Sequence, residues 1–126
     1  MNKIVLDTNT LISAAISKGK PYELLRIAVK KKVILISSNK LLEELKAVIE
    51  RPKFKLSQRE INKFLSTVKK TMKIIKLKSK FKVIKEDPDD DLILNTAYDG
   101  EADYIVSGDM HLLSLKKFRG IRMVSV

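Results

Sequence analysis

None of the 126 residues is cysteine, which removes disulfides, thiolate metal sites and a cysteine nucleophile together. The single histidine, His111, cannot build a histidine-rich zinc site. No apolar run approaches the ~20 residues needed to cross a bilayer. The amino terminus lacks a signal-peptide pattern, because Met1-Asn2-Lys3 leads into a short apolar run that stops at Asp7. The reading is a cytoplasmic protein. Aromatic residues are few, four Phe and three Tyr, and most fall at positions expected in the core, so no base-stacking platform is expected. There is no internal repeat, low-complexity tract or Gly/Ser linker, and the length suits one domain of roughly 100–150 residues. A single domain spanning 1–126 is expected. Acid is scarce too: 15 Asp and Glu stand against 26 Lys and Arg, for a net charge of +11. That balance favours nucleic acid or another anionic surface as partner, while lysine-rich surfaces also serve solubility.

What is present is an alternation of short apolar runs with longer segments of helical period, the pattern of βαβ units and a parallel sheet. Ile4 to Leu6, Val33 to Ile36, Tyr104 to Val106 and Ile121 to Val124 read as buried strands. Pro21 suits the first turn of a helix carrying Leu24, Leu25, Ile27 and Ala28, and Lys30-Lys31-Lys32 suits its negative end. Ser37 or Ser38 can cap a helix through Leu41, Leu42, Leu45, Val48 and Ile49, which Pro52 ends. Ser57-Gln58-Arg59-Glu60 reads as a capping box opening the next helix. From Met72 to Val83, apolar residues interleave with Lys76, Lys78, Lys80 and Lys82, as in a half-exposed strand or extended edge with a basic face. Leu11, Ile12 and Ile16 on the first helix read as core, with a dimer face as the other reading.

Against this basic background, four widely separated acids stand where elements begin or end. Asp7 follows the first strand and Asp109 follows Tyr104-Ile105-Val106-Ser107-Gly108, so both sit just past a carboxyl strand end, where open α/β sheets bind ligands. Glu44 has Leu41 three residues before it and Val48 four after, which sets it at the border of the apolar stripe, whereas Glu43 shares its face with lysines. Glu86-Asp87-Pro88-Asp89-Asp90-Asp91 precedes a helix through Leu92 to Ala97. Capping and the macrodipole explain one or two of those acids. Five in six residues repel one another unless a cation or basic partner is near. Each acid alone has a plain alternative: a solvated glutamate for Glu44, a helix cap for Asp109.

Taken together, Val5-Leu6-Asp7-Thr8-Asn9, Ser38 to Phe54 with Glu44-Leu45 and Arg51-Pro52-Lys53-Phe54, Asp87-Pro88-Asp89-Asp90-Asp91, and Ala102 to Asp109 closely resemble PIN domains. The resemblance spans essentially the whole chain and is nearest to short prokaryotic PIN proteins related to VapC-like toxins of toxin-antitoxin systems. It implies a three-layer α/β/α sandwich around a mainly parallel sheet. It also implies a cleft in which Asp7, Glu44, Asp90 and Asp109 bind Mg²⁺ or Mn²⁺ and cut RNA. Asp91 competes with Asp90 for the third position by one register step. Ser107 occupies the family's Ser/Thr position before the fourth acid, and Asn9 is a polar support near Asp7. One departure stands out: where many VapC-like members carry a further acid two residues after the fourth, this chain has His111. A toxin role implies a cognate antitoxin and a homodimer as partners. The other functional classes are a PIN-like module that binds RNA or a protein without cleaving, and a phosphoaspartyl enzyme using Asp7 as nucleophile. The latter lacks the second Asp two residues on, since Thr8-Asn9-Thr10 follows.

Overall fold

The computed structural model describes residues 1–84 and 88–125. Glu86 and Asp87 of the acidic run lie outside the described residues, with Lys85, Val126 and the side chains of Pro88 and Asp89. The strands are β1 (Lys3–Leu6), β2 (Ile34–Ser38), β3 (Lys73–Ile75), β4 (Tyr104–Val106), β5 (Lys117–Phe118) and β6 (Ile121–Val124). The helices are α1 (Thr8–Ile16), α2 (Lys20–Val29), α3 (Asn39–Ile49), α4 (Gln58–Thr71), α5 (Pro88–Asp99) and α6 (Met110–Leu115). The sheet runs β3-β2-β1-β4-β6-β5, parallel throughout except that β5 pairs antiparallel with β6.

Alternate side chains on a strand point to opposite faces, and the central strands are apolar on both. Ile4, Leu6, Leu35 and Val106 join the core formed with Leu11, Ile12, Leu25, Leu45, Ile49, Ile61 and Val68 of α1 to α4. Val5, Ile36 and Ile105 join the opposite core with Leu94, Ala97 and Leu112 of α5 and α6. The result is an α/β/α sandwich, and it accounts for the continuous apolar runs of β1, β2 and β4. Leu11 and Ile12 are core residues, while Ile16 is exposed.

Local chemistry sets the helix starts. Ser38 Oγ accepts from Leu41 N–H, and Ser57 with Glu60 forms the complete capping box of α4. The Ser57 backbone N–H, then its side chain, hold the Glu60 carboxyl below its ordinary pKa. Gly100 ends α5 where the helix presses on β2: a Cβ there would lie 2.5 Å from Ile36 Cγ2 and 3.1 Å from the Thr96 carbonyl.

Two features differ from the sequence expectation. The basic segment after α4 stays in the sheet only for Lys73–Ile75, and residues 76–84 then leave it to lie along α5, where side chains of the helix take its backbone hydrogen bonds. Alternation in sequence reports a two-sided chain and is blind to what pairs with it. The β5–β6 hairpin was also not anticipated. Its two-residue loop, Arg119 at φ 47° and Gly120 at φ 86°, has the doubly positive backbone of a tight hairpin turn, usually signalled by Asn-Gly.

Candidate metal centre

The strand order reverses between β1 and β4, since the chain moves from β1 to β2 on one side and from β4 to β6 on the other. Open α/β sheets have their ligand crevice outside the carboxyl ends of such a strand pair. Asp7 follows β1 and caps α1, its Oδ1 accepting from Thr10 N–H at 2.8 Å. Asp109 follows β4 and caps α6, its Oδ1 accepting from His111 N–H at 2.7 Å. The cap role that the sequence offers as the alternative for Asp109 is therefore real, and Asp7 has one as well. They do not exhaust the carboxylates, because each oxygen offers two lone pairs.

Ser107 joins these two acids. Fully buried, its hydroxyl donates to Asp7 Oδ2, while its oxygen accepts from Asp109 N–H at 2.9 Å. One side chain thus fixes the Asp7 carboxylate and the backbone of Asp109 together. Asp7 is only 5% exposed, and burying a charge at that depth is costly without such partners.

Helices bring in the other two acids. A cleft of about 350 Å³ is lined by Asp7, Thr8, Asn9, Glu44, Ala47, Val48, Arg51, Asp90, Ile93 and Asp109. Glu44, Ala47, Val48 and Arg51 occupy positions i, i+3, i+4 and i+7, one face of α3 continued into the next turn. Asp90 and Ile93 are likewise three apart on α5. Asp7, Glu44, Asp90, Asp109 and Asn9 therefore meet at one cleft. Asp91 does not line it: its Oδ1 accepts from the Val83 and Ile84 N–H groups, both at 2.9 Å.

Among the described residues Asp90, Asp109 and His111 form a donor group whose ligand-capable atoms lie within 4.8 Å of one another. His111 Nδ1 is 3.8 Å from Asp109 Oδ1. The donor set suits a divalent ion: carboxylate oxygens match hard cations, and an added imidazole is more at home on a transition metal than on Mg²⁺. Asp7 and Glu44 border the trio without belonging to it. Sequence reasoning treated His111 only as a missing acid, although the cap bond from Asp109 draws the two together. It gave Arg51 no role, although seven residues from Glu44 means two turns on the same face. Among the described residues lining the cleft, Arg51 is the only cation.

No curated protein matches the chain. Among solved structures it is similar to the crystal structure of VapBC2 from Rickettsia felis bound to a DNA fragment from their promoter. The TM-score is 0.66, with 20% identity over 98% of each chain, a likeness of fold. A PIN domain family model matches residues 3–111, and with that match covering β1 to β4 and the four acids of the cleft, the chain belongs to the PIN domain family.

Proposed function

We propose that the protein is a metal-dependent ribonuclease that hydrolyses RNA phosphodiester bonds, acting as the toxin component of a toxin-antitoxin pair. The observation that carries the reading is the convergence of Asp7, Glu44, Asp90 and Asp109 from four separate elements on one cleft of a +11 protein. Asp7, Asp90 and Asp109 would hold Mg²⁺ or Mn²⁺, with His111 beside them favouring Mn²⁺. A bound ion neutralises charge on the phosphate and acidifies water. Glu44, half-buried and lining the same cleft, orients the attacking water and takes its proton. Ser107 holds Asp7 and the Asp109 backbone in register, and Asn9 offers an amide at the rim. Arg51 is placed to meet a phosphate oxygen.

PIN-family membership and the VapBC2 likeness support an antitoxin partner, and a homodimer in the cytoplasm goes with that role. Among the described residues no helix is long and apolar enough to cross a membrane. The cap bonds of Asp7 and Asp109 favour one other reading, a non-catalytic PIN-like module that binds RNA or protein and uses its acids structurally. Purified protein incubated with structured and single-stranded RNAs in Mn²⁺, Mg²⁺ or chelator, beside Asp7→Asn, separates the two. Metal-dependent cleavage that the variant loses is expected. Cleavage by both proteins, or by neither, would defeat the nuclease assignment to this cleft.

A further inference from the structure

A second concavity lies on the other side of α5. It is larger, about 910 Å³, and among the described residues Lys40, Lys78, Lys80 and Lys82 line it beside a single acid, Asp91. Leu77, Ile84 and Leu92 contribute apolar surface. One wall is the strap, residues 76–84, and its attachment to α5 fixes its shape. Asp99 Oδ2 accepts from the Lys78 and Ser79 N–H groups at 2.7 and 2.9 Å. Asn95 pairs with both backbone groups of Phe81, accepting from its N–H at 2.8 Å and donating to its carbonyl at 3.2 Å. Asp91 takes Val83 and Ile84.

These three helix residues are spaced by four, about 6 Å along the axis. The strap advances two residues per step, through 79, 81 and 83. That is ~3 Å per residue, close to the rise of a β-strand. Lys76, Lys78, Lys80 and Lys82 are all exposed, while Leu77, Ser79 and Phe81 between them are partly buried. The strap is thus an extended rod with an ammonium group recurring at roughly 6.6 Å on its outer side. The Phe81 ring is packed edge-on against Tyr98 and Phe118 with the Arg119 guanidinium 4.6 Å from its centre, so its faces serve the attachment and not a stacked base. Among the described residues, Lys40, Lys80 and Lys82 form no ion pair.

We propose that this groove binds the phosphate backbone of single-stranded RNA and leads it to the acidic cleft. A regular row of charges on a fixed extended chain complements a polymer carrying one charge per unit, and the apolar surface of Leu77, Ile84 and Leu92 suits sugars and unpaired bases that a duplex would hide. The strap ends on Asp91, adjacent in sequence to Asp90 in the cleft, so bound strand and cleft share the first turns of α5. The choice of RNA rests on the ribonuclease reading. The groove itself does not.

The test compares wild type with the triple variant Lys78→Gln, Lys80→Gln, Lys82→Gln. The control is Lys30→Gln, Lys31→Gln, Lys32→Gln, which precedes the amino end of β2, whereas the strap follows the carboxyl end of the parallel β3, and lowers the net charge equally, 11 − 3 = 8. Binding of a fluorescein-labelled oligouridylate is followed by anisotropy in chelator over a range of salt, with polyglutamate as competitor. The groove variant is expected to bind about tenfold more weakly or worse, with the slope of log affinity against log salt reduced by about 2, and the control to bind like wild type. Equal weakening in both triples, no weakening in either, or preferential binding of polyglutamate would overturn the proposal. Cleavage in Mn²⁺ keeps the two readings apart. A wild type that binds through the groove but never cuts defeats the nuclease alone. A groove variant that binds and cuts normally defeats the groove alone.

Discussion

Asp90 and Asp91 are neighbours in sequence, yet they serve different regions of the molecule. Asp90 is 5% exposed and lines the acidic cleft, whereas Asp91 lines the lysine groove and holds the end of the strap. One residue along a helix is a turn of about 100°, enough to carry a carboxylate from one side of α5 to the other. The cleft gathers acids from β1, α3, α5 and β4 where charge repulsion disfavours them. The groove gathers lysines along one stretch of chain and spends α5's polar groups on backbone. Acids that look equivalent in a run of sequence are therefore divided by geometry into candidate ligands and struts.

That division can be broken on the cleft side first. Ser107→Ala removes the hydroxyl that joins Asp7 to the Asp109 backbone and leaves the groove untouched. Loss of an outer-shell partner of this kind lowers metal affinity or activity by ~10–100-fold. Mn²⁺ affinity by calorimetry should fall in that range while RNA binding in chelator stays unchanged. A Ser107→Thr variant, which keeps the hydroxyl, should recover most of the loss.

The groove side offers a smaller, pH-driven effect. Burial pushes the Asp99 carboxyl up, but the Lys78 and Ser79 N–H groups, the Ser79 hydroxyl and the Lys78 charge outweigh it, leaving the group below its ordinary value of 3.8. A carboxyl lowered in the folded state stabilises it above the unfolded pKa and loses that contribution as pH falls through the folded pKa. Hydrogen exchange at the Lys78 and Ser79 amides, corrected for intrinsic rates, should therefore show constant protection from neutral pH down to about 4 and declining protection below it. Asp99→Asn should bring reduced protection at neutral pH. Unchanged protection in both cases would mean the strap is held elsewhere.

Much of this architecture is legible in the sequence because it rests on local signals. The apolar runs of β1, β4 and β6, the Ser57 capping box and Pro52 after α3 are each read within a few residues. Glu44 was separable from Glu43 by period alone, and the first is half-buried while the second is exposed. Strand ends and helical period single out Asp7, Asp109 and Glu44, but their meeting in one cleft and the choice of Asp90 rest on resemblance, since nothing local says that segments a hundred residues apart will meet. What escaped was partnership. The lysine-interleaved segment shows its two faces but not that Asp91, Asn95 and Asp99 will pair with it. Arg119-Gly120 lacks the usual hairpin letters. His111 counts as a lost acid until its cap bond to Asp109 is seen.

The measurement that bears most directly on the division of α5 is a paired one, Asp90→Asn against Asp91→Asn, each examined by Mn²⁺ calorimetry and by hydrogen exchange at Val83 and Ile84. Asp90→Asn should lose Mn²⁺ binding with the two amides still protected, and Asp91→Asn should expose those amides with Mn²⁺ binding retained. Loss of Mn²⁺ binding in Asp91→Asn together with unchanged binding in Asp90→Asn would contradict the account.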